Sequence, residues 1–366
     1  MPVVYQQDRA GPATHALVIG VGHYPNLGGD TGPEELQMMG SLSSPPHSAV
    51  AMAKHLVAQA ELGPKPLGSL RLLLSPIAGQ EPELPAGWSP PRASFQKILE
   101  TAAAWKAASD RPDDRLLCYY CGHGLRADPV LLPEDFGSGV GPMMLRGISF
   151  QKSRSGLASA RPREQLWFID ACRNEAMPAL TDAPLGMFDS VFDAADWVDL
   201  KSTGLLATKA FTQAFGAEGA PSFFCEALIE ALRGGAAAKE MGTWSTRADR
   251  LLEAVSQYMR LDQHKPPTFI EGDADITLTE LPEPPTVRVV VHADPRPNAG
   301  KSDLRAHSGG ESVAFPKPVQ RIWRGALSPG QWTLRAEPKD GAQPKAVETD
   351  ALVVPPAAVE VLKWQA

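Results

Sequence analysis

Five short apolar runs, separated by segments long enough to hold a helix, constrain this chain more than any other feature. They are residues 15–20 (HALVIG), 70–74 (LRLLL), 116–121 (LLCYYC), 166–170 (LWFID) and 204–207 (GLLA). A run with little polar alternation reads as a strand buried on both faces, and such strands belong to parallel sheets. Between them the spacing predicts helices. Pro45 and Pro46 open one, whose residues Ala49, Met52, Ala53, Leu56 and Val57 recur at helical intervals. Others are expected at 93–108, more weakly around 144–160, and at 222–233 and 246–259, with a Pro/Gly-rich loop at 76–91. The pattern implies the α/β class: a doubly wound, mostly parallel sheet with right-handed crossovers and helices on both faces.

The character changes after the linker at 281–285 (LPEPP). Segments 287–291, 332–336 and 359–362 alternate or run apolar over strand lengths, between clusters of Pro, Gly and Asp, with no helical period. The expected division is therefore 1–281 for the α/β domain and 286–366 for a small all-β, sandwich-like module, consistent with 366 residues making two domains. The 32 glycines and 35 prolines fit long loops.

Charge and cysteine usage narrow the partners. Lys and Arg number 35 against 42 Asp and Glu, a net −7 that gives no electrostatic reason to expect nucleic acid or an anionic membrane. No stretch approaches 18 apolar residues, and the N-terminus lacks an export-signal pattern, so the expected location is the cytoplasm. Four cysteines, Cys118, Cys121, Cys172 and Cys225, are too sparse for a disulfide scaffold and suit a reducing compartment.

In an open parallel sheet, reactive groups collect beyond the carboxyl ends of the strands. The third strand ends in Cys121-Gly122-His123-Gly124 and the fourth in Asp170-Ala171-Cys172-Arg173. If the two strands are neighbours, His123 and Cys172 face each other. Such a pair suits nucleophilic acyl transfer: a thiolate attacks a carbonyl and the imidazole moves the proton. Gly122 and Gly124 are expected to allow tight or positive-φ backbone and to leave the imidazole edge uncovered. The N–H groups of Gly124 and Cys172 are the expected oxyanion-hole donors. Other motifs carry less chemistry. Cys118 and Cys121 point to opposite faces of a strand, which disfavours a zinc or redox pair. Cys225 reads as core, and Gly20 to Gly22 lacks the full dinucleotide fingerprint.

These boxes bring a resemblance into view. The chain is similar to the caspase-like clan of cysteine peptidases, which holds caspases, metacaspases and their prokaryotic relatives. The matching segments are 15–27 (HALVIGVGHYPNL), 116–124 (LLCYYCGHG), 131–135 (LLPED) and 166–174 (LWFIDACRN), then 205–215, 221–232 and 265–278. The resemblance implies a six-stranded, mostly parallel sheet and a Cys-His dyad, with Cys172 as nucleophile and His123 as general acid/base. It also implies that Asp170, which stands where caspases carry glutamine, floors the first specificity pocket together with Cys121, selecting arginine or lysine before the cut. The competing reading makes Asp170 a helix cap or loop anchor. His47 stands near where relatives place a second pocket Asp.

No cofactor is expected for the chemistry. Metacaspases often use calcium, and Asp182, Asp189, Asp193, Asp196 and Asp199 follow the nucleophile in a long loop that is also read as a plain solvated segment. Self-cleavage in that loop, near Arg173 or Lys201, is a further expectation. The implied partners are a protein or peptide substrate and an activating protein or upstream protease. Bacterial members often act as effectors in antiphage or regulated-death pathways, and the β module resembles small immunoglobulin-like or regulatory sandwiches. Two alternatives stay open: a non-catalytic caspase-like scaffold, and an acyl transferase or transpeptidase using the same dyad.

Overall fold

The computed structural model describes residues 3–28, 36, 39–125, 129–138, 143–171, 184–188, 200–207, 218–270, 275–339 and 345–364. The strands of the first part are β1 (Val3–Gln6), β2 (Thr14–Val21), β3 (Leu67–Ser75) and β4 (Arg115–Gly122), then the two-residue β5 (Gly124–Leu125), β6 (Val130–Leu131) and β7 (Ile148–Ser149). They continue with β8 (Glu164–Ala171), β9 (Lys201–Leu206), β10 (Ala237–Glu240), β11 (Thr243–Arg247), β12 (Thr268–Ile270) and β13 (Thr277–Leu281). Among the described residues five α-helices join them: α1 (Ser44–Ala58), α2 (Phe95–Ala108), α3 (Phe150–Ala158), α4 (Phe223–Glu230) and α5 (Leu251–Leu261).

The main sheet has the order β1-β3-β2-β4-β8-β9-β12. Its five inner strands are parallel, and β1 and β12 close the edges antiparallel. Every residue of β2, β3 and β4 is buried, which is why their sequences read as unbroken apolar runs. One face packs Ala49, Met52 and Ala53 of α1 with α4 and α5; the other packs Ile98, Ala102 and Trp105 of α2 with Leu157 of α3.

The doubly wound α/β reading holds, with local corrections. Among the described residues the sheet has seven strands where the resemblance implied six, because Val3–Gln6 adds an edge whose residues are partly or fully exposed. Residues 243–247 are strand, so the helix expected from 246 begins at Leu251; β11 pairs with β10 and β13 and its polar residues hide it from an apolar-periodicity search. The crossover expected around 144–160 is a 3-10 turn at Met143–Arg146, then β7, and only then α3.

The motif 131–135 is structural. Glu134 accepts from Ser75 Oγ (2.8 Å) and Arg92 Nε (2.6 Å), and Asp135 accepts from the N–H of Phe95 (2.6 Å), the first residue of α2. Gly20 has a similar explanation. A Cβ there would meet Ala49 Cβ and Pro45 O at 2.7 Å, so the glycine admits the start of α1 rather than a dinucleotide.

Downstream lie β14 (Val287–Asp294), β15 (Ser302–Ser308), β16 (Glu311–Ala314), β17 (Ile322–Leu327), β18 (Gly330–Pro338), β19 (Val347–Val353) and β20 (Ala357–Lys363). They form two sheets, β17-β14-β20 and β16-β15-β18-β19, that share one hydrophobic cluster around Trp323, Trp332 and Leu334. This is sandwich geometry, with β14 and β20 parallel and the other pairs antiparallel. The sheets rest on α4 and α5. Arg288 of β14 pairs with Glu230 and Asp262 (both 3.0 Å) and lies 5.1 Å from the Tyr258 ring centre. Tyr258 Oη donates to Pro356 O (2.8 Å) and Gln257 Nε2 to Ala357 O (3.0 Å).

One buried group sets a stability prediction. His55 of α1 is buried, its Nδ1 has no hydrogen-bond partner among the described residues, and burial, helped by Arg233, pushes its pKa from 6.5 to about 4. It is neutral in the folded chain and charges in the unfolded one below about 6.5. Its contribution is therefore present above pH 6.5 and is lost as pH falls toward 4, on the order of 3 kcal/mol in all. Thermal melts of His55→Leu should show a flatter loss of midpoint over that window than the parent; an unchanged slope assigns the acid sensitivity elsewhere.

Candidate active site

The parallel register between β4 and β8 sets Cys121 beside Asp170 and Gly122 beside Ala171. The next residues along the two neighbouring strands are His123 and Cys172. The condition placed on the pair is met as far as the described residues reach: adjacent strands lie about 4.8 Å apart, and both end at the same level. Cys172 itself lies outside the described residues. So do Arg173, Asp182, Asp189, Asp193, Asp196 and Asp199.

Two contacts hold the His123 ring. Its ring sits 4.7 Å from that of Tyr24, and its Nε2 lies 2.7 Å from Gly40 O. A carbonyl only accepts, so Nε2 carries the proton and Nδ1 is the basic nitrogen. Nδ1 is buried and has no partner among the described residues. Burial depresses the imidazole pKa, opposed by the bond to Gly40, so the neutral base is the form present near neutrality.

Two tyrosines fix the backbone beneath it. Tyr24 Oη accepts from the N–H of His123 (2.8 Å). Tyr120 Oη bonds to His123 O (3.0 Å) and Leu132 O (2.8 Å) and accepts from Leu132 N–H (3.0 Å). Here the expectation for the glycines is corrected. Neither Gly122 nor Gly124 has positive φ. Gly122 is required by close approach, since a Cβ would stand 2.6 Å from Tyr24 Oη and 2.7 Å from Tyr120 Oη. Gly122→Ala is accordingly expected to displace both hydroxyls, costing about 1–3 kcal/mol of stability and most of any activity; denaturant midpoints and turnover of the purified variant measure the two effects.

Gly124 starts β5 opposite Leu131. Leu132 N–H already donates to His123 O (3.1 Å), so by antiparallel alternation the Gly124–Leu131 pair is a non-hydrogen-bonded one. The Gly124 N–H is thus not used by the ladder to β6.

Asp170 is 2% exposed and sits on the face that carries α1 and α4. Its Oδ2 accepts from Tyr119 Oη (2.9 Å), Cys121 Sγ (3.2 Å) and Ser222 Oγ, while Oδ1 has no partner among the described residues. Burial raises its pKa, against those three donors. Among the described residues Asp170 caps no helix; Ser222 caps α4, accepting from Cys225 N–H (3.0 Å) while donating to Asp170. Ser48 completes the wall, its Oγ accepting from Ser222 N–H (2.8 Å). His47 contacts Gln80 O (3.3 Å) instead.

The sequence reading missed Ser222, Tyr119, Ser48, Tyr24 and Tyr120. Ser222 had a visible signal as a polar residue before an apolar helix, though not for its second bond. Cys118 and Cys121 pack on opposite faces as expected, and Cys225 is buried core. Lys201 begins β9, its N–H bonded to Arg163 O (2.7 Å), so the peptide after it lies within the sheet rather than in an open loop.

Among the described residues no three His, Cys, Asp or Glu side chains cluster as metal ligands, and no helix is long and apolar enough to cross a membrane.

Comparison with known proteins bears on this geometry. A probable protease from a Desulfuromonadales bacterium is 26% identical over 309 residues, covering 76% of this chain and 37% of that protein. An uncharacterized protein of Sinorhizobium fredii is 27% identical over 211 residues, 54% of this chain and 59% of its own length. The chain thus spans between about a third and six-tenths of these curated relatives. Among solved structures, caspase-1 from Spodoptera frugiperda matches with a TM-score of 0.46 and 13% identity, over 76% of this chain and 96% of that one. The model of the caspase domain, peptidase family C14, matches residues 13–271. That span holds the five parallel strands, both tyrosine anchors, His123 and the end of β8, and the chain belongs to the caspase-domain peptidase family.

Proposed function

We propose that the chain is a cysteine endopeptidase in which Cys172 is the nucleophile and His123 the general acid/base. The observation that carries this reading is the register of Gly122 beside Ala171, together with a His123 ring whose Nδ1 is left unpartnered among the described residues. In the proposed cycle the Cys172 thiol gives its proton to Nδ1 and Sγ bonds to the scissile carbonyl carbon. The oxygen takes up the negative charge and accepts from Gly124 N–H, with Cys172 N–H as the second donor. The imidazolium then returns the proton to the leaving amine as the C–N bond breaks. Water, deprotonated by the same imidazole, then attacks the thioester carbon; the C–S bond breaks and the imidazolium returns the proton to Cys172 Sγ.

Asp170, with Cys121 beside it, is the proposed first specificity pocket, selecting arginine or lysine. Oδ2 is occupied by internal donors and Oδ1 is the oxygen left for a cationic side chain. The dyad step needs no cofactor; activity in EGTA against added calcium reads whether the acidic residues after Cys172 contribute. The division at 281–286 and the role of the β module in docking a partner belong to the same proposal, as does regulated effector work in the cytoplasm. The latter is consistent with the free thiols of Cys118, Cys121 and Cys225.

A fluorogenic peptide panel varying only the residue before the cut tests the assignment. Cleavage after Arg or Lys is expected, and cleavage confined to Asp would overturn the pocket. Since His123 works as a neutral base of lowered pKa, kcat/KM should hold down to about pH 6.5 and fall below it.

A further inference from the structure

A second recess lies at the opposite end of the main sheet. It is a cavity of about 360 Å³ bounded by the β1–β2 connection, the first residues of β2 and β3, and the turn joining α2 to β4. Arg71 lines it at only 6% exposure. Its Nη1 donates to Ser69 Oγ (3.0 Å), its Nε has no partner, and no carboxylate pairs with it among the described residues. A guanidinium cannot shed its proton in a protein, and a buried charge is costly unless an anion faces it.

The neighbouring groups do not supply that anion. Asp114 Oδ1 accepts from Ala13 N–H (2.9 Å) and Oδ2 from Arg111 N–H (3.2 Å). The other lining cations are engaged: Arg9 with both oxygens of Glu61, each at 2.7 Å, and Arg111 with the carbonyls of Ala10 and Gly11. Arg71 is thus the one lining arginine without a carboxylate or carbonyl partner among the described residues, and it stands beside empty volume. The rim carries exposed Asp8 and Asp110, which would repel a dianion more strongly than a monoanion.

We propose that this cavity binds a small monoanionic carboxylic acid whose carboxylate pairs bidentately with Arg71. A guanidinium pairs best with a planar two-oxygen acceptor, and a carboxylate is one. The site lies away from His123 and is independent of the peptidase reading.

The test is a thermal titration of the full chain in Tris chloride with butyrate, butylamine and inorganic phosphate as probes. Butyrate should raise the midpoint saturably by about 2–4 °C, phosphate less, and butylamine not at all. Arg71→Met should lose the butyrate response. Because a core arginine change can impair folding, the rim variant Asp110→Asn is measured in parallel; it should lower the half-saturating butyrate concentration several-fold. Absence of a saturable butyrate shift in the parent, a shift that survives Arg71→Met, or a rim variant with unchanged half-saturation overturns the proposal.

Discussion

Replacing Cys172 by alanine is expected to lower kcat/KM for peptide cleavage by about 10³-fold or more, with the circular dichroism spectrum unchanged. Loss of a nucleophile leaves only what binding and oxyanion donors contribute. His123→Ala should fall to a similar level, and the double variant should be little worse than either, because the two side chains act as one unit. This non-additivity separates the reading from its rivals. A scaffold would show no turnover in the parent to lose. An acyl transferase would lose activity in the same way, yet the parent would divert product to an added amine in proportion to its concentration. Hydrolysis that persists undiminished in Cys172→Ala would sink the assignment.

The second large effect concerns Asp170. Asp170→Asn should reduce kcat/KM for Arg and Lys peptides by about 10²-fold, near 2.7 kcal/mol, chiefly through KM, and should narrow the gap to neutral side chains. Stability should move the other way. Burial raises the folded carboxyl's pKa, so what Asp170 contributes is present below its unfolded value and is lost as pH rises through the folded one. Wherever Asp170 is ionised the parent bears a buried charge that asparagine lacks, and Tyr119 and Ser222 can still donate to the amide oxygen. The variant should therefore melt at or above the parent temperature while being the poorer enzyme. A variant that is less stable and equally impaired on every substrate would make Asp170 an anchor for Tyr119 and Ser222, not a specificity group.

What the sequence disclosed follows from burial. The five inner strands were legible because each is covered on both faces, so its composition alone reports it. β1 was not, since a four-residue edge strand half open to solvent has no such composition. The helix expected from 246 takes in Thr246 and Arg247, which instead end β11, a strand that satisfies its sheet through backbone bonds rather than an apolar run. At the site, His123 and Cys172 could be named from the rule that chemistry gathers at strand ends. Asp170 and Cys121 could be paired once strand order was guessed. The hydroxyls around them could not. Tyr24 reaches His123 across 99 positions and Ser222 reaches Asp170 across 52, contacts that local periodicity does not encode. Nor does the sequence set Arg71 against a cavity, because there it is one polar residue in the apolar run 70–74.

The seam between α4, α5 and the C-terminal sheets alters how the proline linker should be understood. By composition, 281–285 is where one would cut the chain to obtain two free-standing pieces. Yet Arg288 neutralises two carboxylates of the preceding part, Tyr258 loses its acceptor without Pro356, and Gly234 leaves no room for a Cβ beside Pro285. A gene truncated at the linker would encode a protein with an exposed acidic scar and an unpaired phenol where its own sheets had been. The C-terminal sheets thus also serve as a wall of the molecule where they meet α4 and α5.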